Sequence, residues 1–385
     1  MKLKLKNTPE QVELIKQIGS KDLTKAAEAQ EVFAAFLGPV IQEVIKQAGT
    51  LSAIYADSEY DEDDSPSYPL DLYYDQNDGY VKVWSQNVAG GLPSSLVEGM
   101  KEMKIATYRL DSAVSFLKKY ARRGRLDIVS KAIERMAQEV LIKQERNGWA
   151  VIMKALAEAS TKSGKASSAS GALNHVIQSN TDDVLQLDDF NRLLTLQRRL
   201  FTSFAGGTPE GSRGITDLFV SPEMMEQIRA FAYQPMNTRA GVLSGTSAEG
   251  YADSSVALPD SVREQVFRGA GMGEIYGISL HEVIELGVSQ KYNTLFDEFA
   301  GSVTYPASGG SAFDGGASGD EILVGIDSSR DSFIRPVARQ HESGGQWTVL
   351  ADDQWVSRSE KTGFYGYLEE GRVCIDARSV VGIVV

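Results

Sequence analysis

Apolar and polar positions change period several times along this chain. Val32, Phe33, Phe36, Leu37, Val40, Ile41, Val44 and Ile45 recur at three- and four-residue steps, the stripe of an amphipathic helix. The spacing predicts a helix from about Asp22 to Gln47, interrupted at Gly38-Pro39. A shorter helix precedes it, opened by the capping-box run Thr8-Pro9-Glu10-Gln11 and ended by Gly19-Ser20. From Leu126 to about Ser160 the helical period persists through Val129, Ile133, Met136, Val140, Ile152 and Leu156. At the α-helical rise that is an element roughly 50 Å long. Gly148 inside it is a candidate kink. Leu193, Leu196 and Leu200 share a face of a helix opened by Asp188. Shorter helices are expected over about Ser112–Arg122 and Ser261–Arg268.

Strand patterns take over elsewhere. Residues 69–86, PLDLYYDQNDGYVKVWSQ, read as an aromatic β-hairpin turning at Asp78-Gly79, with Tyr73, Tyr80, Val81, Val83 and Trp84 as strand residues. Two placements stand for it: a projecting arm whose apolar face meets another molecule, or a hairpin packed on its own domain. Lys104–Leu110 and Glu274–Leu280 are strand candidates. Thr216–Val220 is a short β-rich run that meets a helix start, where Ser221 is placed to cap, Pro222 suits the first helical position and Glu223 the first turn. The C-terminal part is strand-rich: Glu321–Ile326, Phe333–Val337, Gln346–Leu350, Thr362–Glu369, Arg372–Ile375 and Val380–Val385. Residues 160–171 and 306–320 are Ser- and Gly-rich loops. The acidic run DSEYDEDD, residues 57–64, reads as a solvated loop. It is no EF-hand, because Glu62 and Tyr68 stand where that loop needs glycine and glutamate.

Charge and chemistry narrow the function. A net charge of −13 over 385 residues disfavours a protein that grips nucleic acid across a broad surface, which needs clustered Lys and Arg. One cysteine excludes an internal disulfide and a cysteine-based zinc cluster. No stretch of about 18 apolar residues is present, and the start MKLKLKNTPEQ lacks a signal-peptide apolar segment. His175, His281 and His341 are far apart and read as structural or surface residues. Asp188-Asp189, Asp352-Asp353 and Glu369-Glu370 are neighbours in sequence, and neighbours on a strand face opposite ways. Residues 269–273, GAGMG, precede a strand candidate, so they read as a turn rather than a phosphate cradle. The motifs for metal-dependent proteolysis, P-loop phosphate binding and serine acylation are absent. No catalytic, cofactor or metal site is expected, and the chain is not expected to be an enzyme. Arg122, Arg123 and Arg125 form a basic knot around Gly124.

The order of segments resembles the major capsid proteins of tailed bacteriophages, with the Hong Kong 97-type fold. FVSPEMMEQIRAF resembles the strand-Ser-Pro-helix step of that family's axial domain, GEIYGISLHEV and EILVGIDSS its following strands, and KTGFYGYLEEGRVCIDARSVVGIVV its terminal strands. The resemblance implies an α+β fold divided into an N-arm (1–50), an extended loop (51–100), a peripheral domain with a spine helix (101–180), an axial domain (181–340), long peripheral strands (341–376) and a final axial strand (377–385). It implies self-association into hexamers and pentamers of an icosahedral head enclosing double-stranded DNA, assembled in the host cytoplasm. DNA contact would be weak and non-specific, with no membrane contact. Tyr73, Tyr74, Asp78, Gly79 and Trp84 would lie over a neighbouring subunit, and Arg122, Arg123 and Arg125 would meet a neighbour's acidic tract. Deleting residues 57–86 should then abolish shells. No long charged helical prefix precedes the first helix, so a separate scaffolding protein is expected, with a portal and decoration proteins as further partners. Lys82 is the only lysine between residues 47 and 100, and no covalent cross-link is expected. Rival expectations are an encapsulin-like compartment, a soluble oligomeric hydrolase with an unrecognised site, and a virion adhesion or decoration protein.

Overall fold

A computed structural model describes residues 9–47, 49–62, 64–69, 102–124, 126–162, 175–179, 181, 183–200, 214–230, 274–301, 313, 319–329, 331–339, 346–352 and 361–385. In chain order the elements are α1 (Pro9–Ile18), α2 (Leu23–Gln47), β1 (Ala56–Asp61), β2 (Ser67–Pro69), β3 (Glu102–Lys104), β4 (Tyr108–Leu117), α3 (Lys118–Arg122), α4 (Leu126–Lys162), β5 (Val176–Gln178), α5 (Leu187–Leu200), β6 (Asp217–Val220), α6 (Pro222–Ala230), β7 (Glu274–Ile275), β8 (Ile278–Glu282), α7 (Lys291–Ala300), β9 (Ile322–Ile326), β10 (Phe333–Arg339), β11 (Thr348–Asp352), β12 (Lys361–Glu370), β13 (Val373–Cys374) and β14 (Val380–Val384). The chain divides into two compact units: Met1–Asp71 with Gly99–Gly148 and Phe333–Val373, and Leu72–Glu98 with Trp149–Ser332 and Cys374–Val385.

In the first unit, β12 is the central strand. One edge pairs with β4 over ten residues, from Lys361↔Leu117 to Glu370↔Tyr108. The other edge pairs with β11 from Gly363↔Asp352 to Tyr367↔Thr348, and then with β10 at Val337↔Glu370, beyond which β13 continues the pairing along β10. β1 runs parallel to β10, from Ala56↔Ile334 to Asp61↔Arg339. The strands alternate, so one face can be apolar. Phe116, Val337, Val349, Phe364 and Leu368 form a core with Ile15 and Ile18 of α1, Phe33 and Leu37 of α2, and Val129, Ile133, Met136 and Val140 of α4. Phe364 sits 5.5 Å from the Phe33 ring and 6.1 Å from Phe116. Burial of each such side chain is worth about 2–3 kcal/mol. Trp347 lies on β12 so closely that a Cβ on Gly366 would stand 2.5 Å from its ring.

The second unit is a six-stranded mixed sheet in the order β5-β14-β9-β6-β8-β7. Its central strands, ILVGI and VVGIV, are buried at every position. Unbroken apolar runs of this kind follow when both faces are covered. Leu218 and Val220 join Phe190 and Leu193 of α5 and Met224, Met225 and Ile228 of α6. Phe219, between them on the strand, points the other way and meets Trp149 at 5.1 Å. Trp149 also stacks on Tyr292 of α7 at 5.3 Å.

Several sequence expectations are corrected. The acidic run is not a loop: Ala56–Asp61 is strand β1, its alternate residues half-buried, with Asp57 paired to Arg335 of the neighbouring strand. α2 continues through Gly38-Pro39 without a break. Packing of Phe33, Ala34 and Leu37 carries the helix past a residue that costs about 3 kcal/mol in an isolated one. The apolar stripe on α2 is wider than its buried face, since Val32 and Phe36 are 59% and 48% exposed. Residues 112–117 extend β4 rather than forming a helix, because β12 offers them a full ladder; only α3 remains helical. Glu274–Leu280 is a hairpin, not one strand: Tyr276 and Gly277 both have positive φ, 55° and 78°, the two-residue turn whose twist suits antiparallel strands. Gly148 sits within an unbroken α-helix, and its use is close approach. A Cβ there would lie 2.2 Å from Leu51 Cδ1 and 2.9 Å from Arg372 Nη1.

Candidate assembly site

The expected hairpin residues Tyr73, Tyr74, Asp78, Gly79 and Trp84 lie outside the described residues, as do Lys82, Arg125 and His341. What is described is the root of the segment that carries the hairpin. β2 and β3 pair antiparallel through Ser67↔Lys104, Tyr68↔Met103 and Pro69↔Glu102. Ile105 N–H donates to Pro66 O at 3.1 Å. The chain therefore leaves at Pro69 and returns at Glu102 on one two-stranded ladder.

Two adjacent carboxylates lie close to that base. Glu369 Oε1 accepts from Thr107 Oγ1 at 2.7 Å and from the Tyr60 hydroxyl at 3.2 Å. Glu370, on the opposite face of β12, is fully buried. Its Oε2 accepts from Arg335 Nε at 2.7 Å and Gln144 Nε2 at 3.0 Å, and its Oε1 from the Tyr108 hydroxyl at 2.8 Å and Arg372 Nε at 3.4 Å. Arg335 Nη1 also donates to Asp57 at 3.2 Å. Burial alone would raise the Glu370 pKa; the guanidiniums of Arg372 and Arg335 outweigh it and hold the carboxyl below its ordinary range. Burial pushes the Tyr108 and Tyr60 phenols up to about 12, so both remain hydrogen-bond donors at neutral pH. The Arg372 guanidinium lies 4.9 Å from the Tyr55 ring centroid, and Tyr55 donates to Gly148 O at 3.0 Å.

Beside this network is a cavity of about 230 Å³ lined by Leu51, Tyr55, Gln144, Glu145, Arg335 and Arg372 among others. Glu145 is fixed by the Thr50 hydroxyl at 2.7 Å and Leu51 N–H at 3.3 Å. No histidine or cysteine is among the described lining residues. Its charges hold one another in place, and the arrangement positions strands.

The other predicted groups are dispersed. Arg122 donates its Nε to Gly19 O at 2.7 Å, closing the end of α1, while Arg123 is exposed. His175 is buried with Nδ1 3.0 Å from Val380 O, and burial lowers its pKa, leaving a neutral imidazole. His281 meets Asp217 at 2.9 Å and stacks on Phe219. Asp189 accepts from Gln186 N–H and Arg192, at the start of α5. Among the described residues no group of three His, Cys, Asp or Glu side chains is placed to hold a metal ion, and no helix is long and apolar enough to cross a membrane.

The βα corner forms as its punctuation predicts. Ser221 Oγ accepts from Met224 N–H at 3.0 Å, capping α6. The same hydroxyl donates to Glu321 Oε2 at 2.5 Å, a partner 100 residues away. Burial raises the Glu321 pKa. Ser221→Ala removes both bonds and is expected to cost about 1–2 kcal/mol in denaturant unfolding of the free subunit.

Sequence reasoning missed Arg335, Tyr108, Thr107, Tyr60 and Glu321. One signal was available for the first four. Glu369-Glu370-Gly371-Arg372 lies in an otherwise apolar strand run, and a carboxylate placed in a buried strand requires a partner.

No family model matches the chain, and no curated protein matches it. Solved structures do. The capsid of cyanophage P-SCSP1u is 12% identical with a TM-score of 0.47, covering 87% of this chain and 88% of that one. The cyanophage Pam1 capsid asymmetric unit is 14% identical with a TM-score of 0.46, covering 86% and 88%. The SrpI encapsulin complex of Synechococcus elongatus is 9% identical with a TM-score of 0.37, covering 74% and 75%. The chain is thus an α+β protein that is similar over most of its length, at low identity, to phage capsid chains, and over less of it to an encapsulin.

Proposed function

We propose that this protein is the shell-forming subunit of an icosahedral phage head, with the Hong Kong 97-type fold its sequence resembles. The observation that carries the proposal is the β2–β3 ladder, which sets Pro69 opposite Glu102 at the two ends of residues 70–101. The aromatic hairpin pattern in that segment supplies an apolar face that gains burial against a second copy. Closed symmetry makes many such modest contacts simultaneous, so a shell is stable although each contact is weak. The long α4 and the two-face-buried sheet of the second unit supply rigid parts for such a shell.

In this account the subunits form hexamers and pentamers around double-stranded DNA. The net charge of −13 keeps contact with the packaged DNA weak and non-specific. A separate scaffolding protein, a portal and decoration proteins complete the head, which assembles in the host cytoplasm and ends in the virion. Negative-stain microscopy with sedimentation of the purified protein tests the proposal. Closed shells or capsomers are expected; a monomer at every concentration, with or without a co-expressed scaffolding protein, would refute it.

A further inference from the structure

We infer that the basic cluster Lys16, Lys119, Arg122 and Arg123 of one copy docks head-to-tail on the acidic edge strand β1 of a second copy. The inference rests on the shell proposal and names one contact within it. The sequence expectation pairs Arg122 and Arg123 with a neighbour's acidic tract. The structure turns that tract into an edge strand and widens the cluster by two lysines.

The cluster forms where α3 meets the end of α1. Arg122 donates Nε to Gly19 O at 2.7 Å, and a Cβ on Gly124 would lie 3.2 Å from Lys16 Cε. Lys119 stands one turn before Arg122 and Arg123, its amine 5.1 Å from the Tyr120 ring centroid. All four residues are exposed, and among the described residues none is paired with a carboxylate. Elsewhere Arg109, Arg135, Lys154 and Arg229 each have such a partner. β1 presents the opposite charge. Asp57, Glu59 and Asp61 are its exposed alternate residues, and Glu62 and Asp64 extend the row. Arg335 pairs with Asp57 and Arg339 stands beside Asp61 in register, so the row keeps an acidic excess. Among the described residues β1 has a strand on one side only, β10. A like-charged row on an edge strand rejects a second copy of itself and admits a cationic surface. The two surfaces do not meet within one subunit. α3 continues β4 past Leu117, level with Lys361, on one edge of β12. β1 lies beyond the other edge, with Glu59 level with Val337 and Glu370. Lys361 and Glu370 are the two ends of β12, roughly 30 Å apart at the strand rise. That exceeds a physiological Debye length of about 8 Å, so neither surface neutralises the other until a neighbour arrives. Two different patches at opposite corners of one sheet make a heterologous contact, the type that repeats around a ring.

Charge swapping tests the contact. Lys119→Glu/Arg123→Glu reverses the cluster and leaves the Arg122 bond to Gly19 in place. Asp61→Lys/Asp64→Lys reverses the edge. Each is expected to lower the yield of closed shells or capsomers by about tenfold or more at low salt, with an unfolding midpoint near wild type. One chain carrying both reversals has complementary surfaces again and should recover most of the yield. Unchanged yield in both separate reversals, or no recovery in the combined chain, overturns the contact. If the cluster reversal abolishes DNA retention and the edge reversal does not restore it, the cluster holds nucleic acid and the contact is overturned. If a reversal does not fold, Lys119→Gln/Arg123→Gln decides by the salt dependence of assembly, which should flatten. An unchanged salt dependence overturns the contact. Shells from the unaltered chain with undiminished yield in the reversals would remove the contact and leave the shell proposal standing. An unaltered chain that stays monomeric at every concentration removes both.

Discussion

Replacing Glu370 with alanine is expected to destabilise the free subunit by about 3–5 kcal/mol, the largest single-residue effect in the first unit. The carboxylate is fully buried, and its removal leaves Arg335 and Arg372, 11% and 4% exposed, as buried cations without their main partner. The cost is that of uncompensated charge, not the small net worth of a pair. Denaturant unfolding of unassembled subunit measures it, and a loss under about 1 kcal/mol would contradict the burial argument. The pH dependence has a definite sign. Because the folded state holds the Glu370 pKa below its ordinary value of 4.5, the carboxylate contributes stability that is complete above that value. That contribution is lost as pH falls from about 4.5 through the folded pKa. Wild-type protein should lose stability over that acid range, and Glu370→Ala should lose less.

The second large effect concerns the loop. Pro69 and Glu102 face each other on the β2–β3 ladder, so residues 70–101 can be replaced by an Asn-Gly turn without opening the sheet. The shortened protein should fold with near-wild-type stability and yield no closed shells. This deletion replaces the 57–86 interval the sequence suggested, because that interval would also remove most of β1 and the Asp57–Arg335 pair. Normal shells from the shortened chain would refute the role given to the loop. Unfolding would instead mean that the loop supports its own subunit.

Much of this arrangement was legible in local pattern. The 126–162 helix followed from its period, and the Ser221-Pro222 corner from its punctuation, because both depend on groups within a few residues. The strand ends of the C-terminal region were legible for the same reason. What failed depended on distant partners. Asp57–Asp61 looks like a solvated acidic run until β10 places Arg335 beside it. Residues 112–117 look helical until β12 offers them a ladder. Gly148 looks like a kink until Leu51 and Arg372 are found against its Cα. The Glu369–Glu370 network was half legible: alternation alone put the two carboxylates on opposite faces, but the partners Tyr60, Thr107, Tyr108 and Arg335 come from distant segments, and no local rule brings those together.

The central claim is that the aromatic segment within residues 70–101 finds its apolar partner on another copy of the same chain. Cryo-electron microscopy of the purified assembly tests it most directly. The account predicts closed shells in which density for Tyr73–Trp84 runs onto a neighbouring subunit. Density folding that segment back onto its own subunit, or particles that never close, would contradict it.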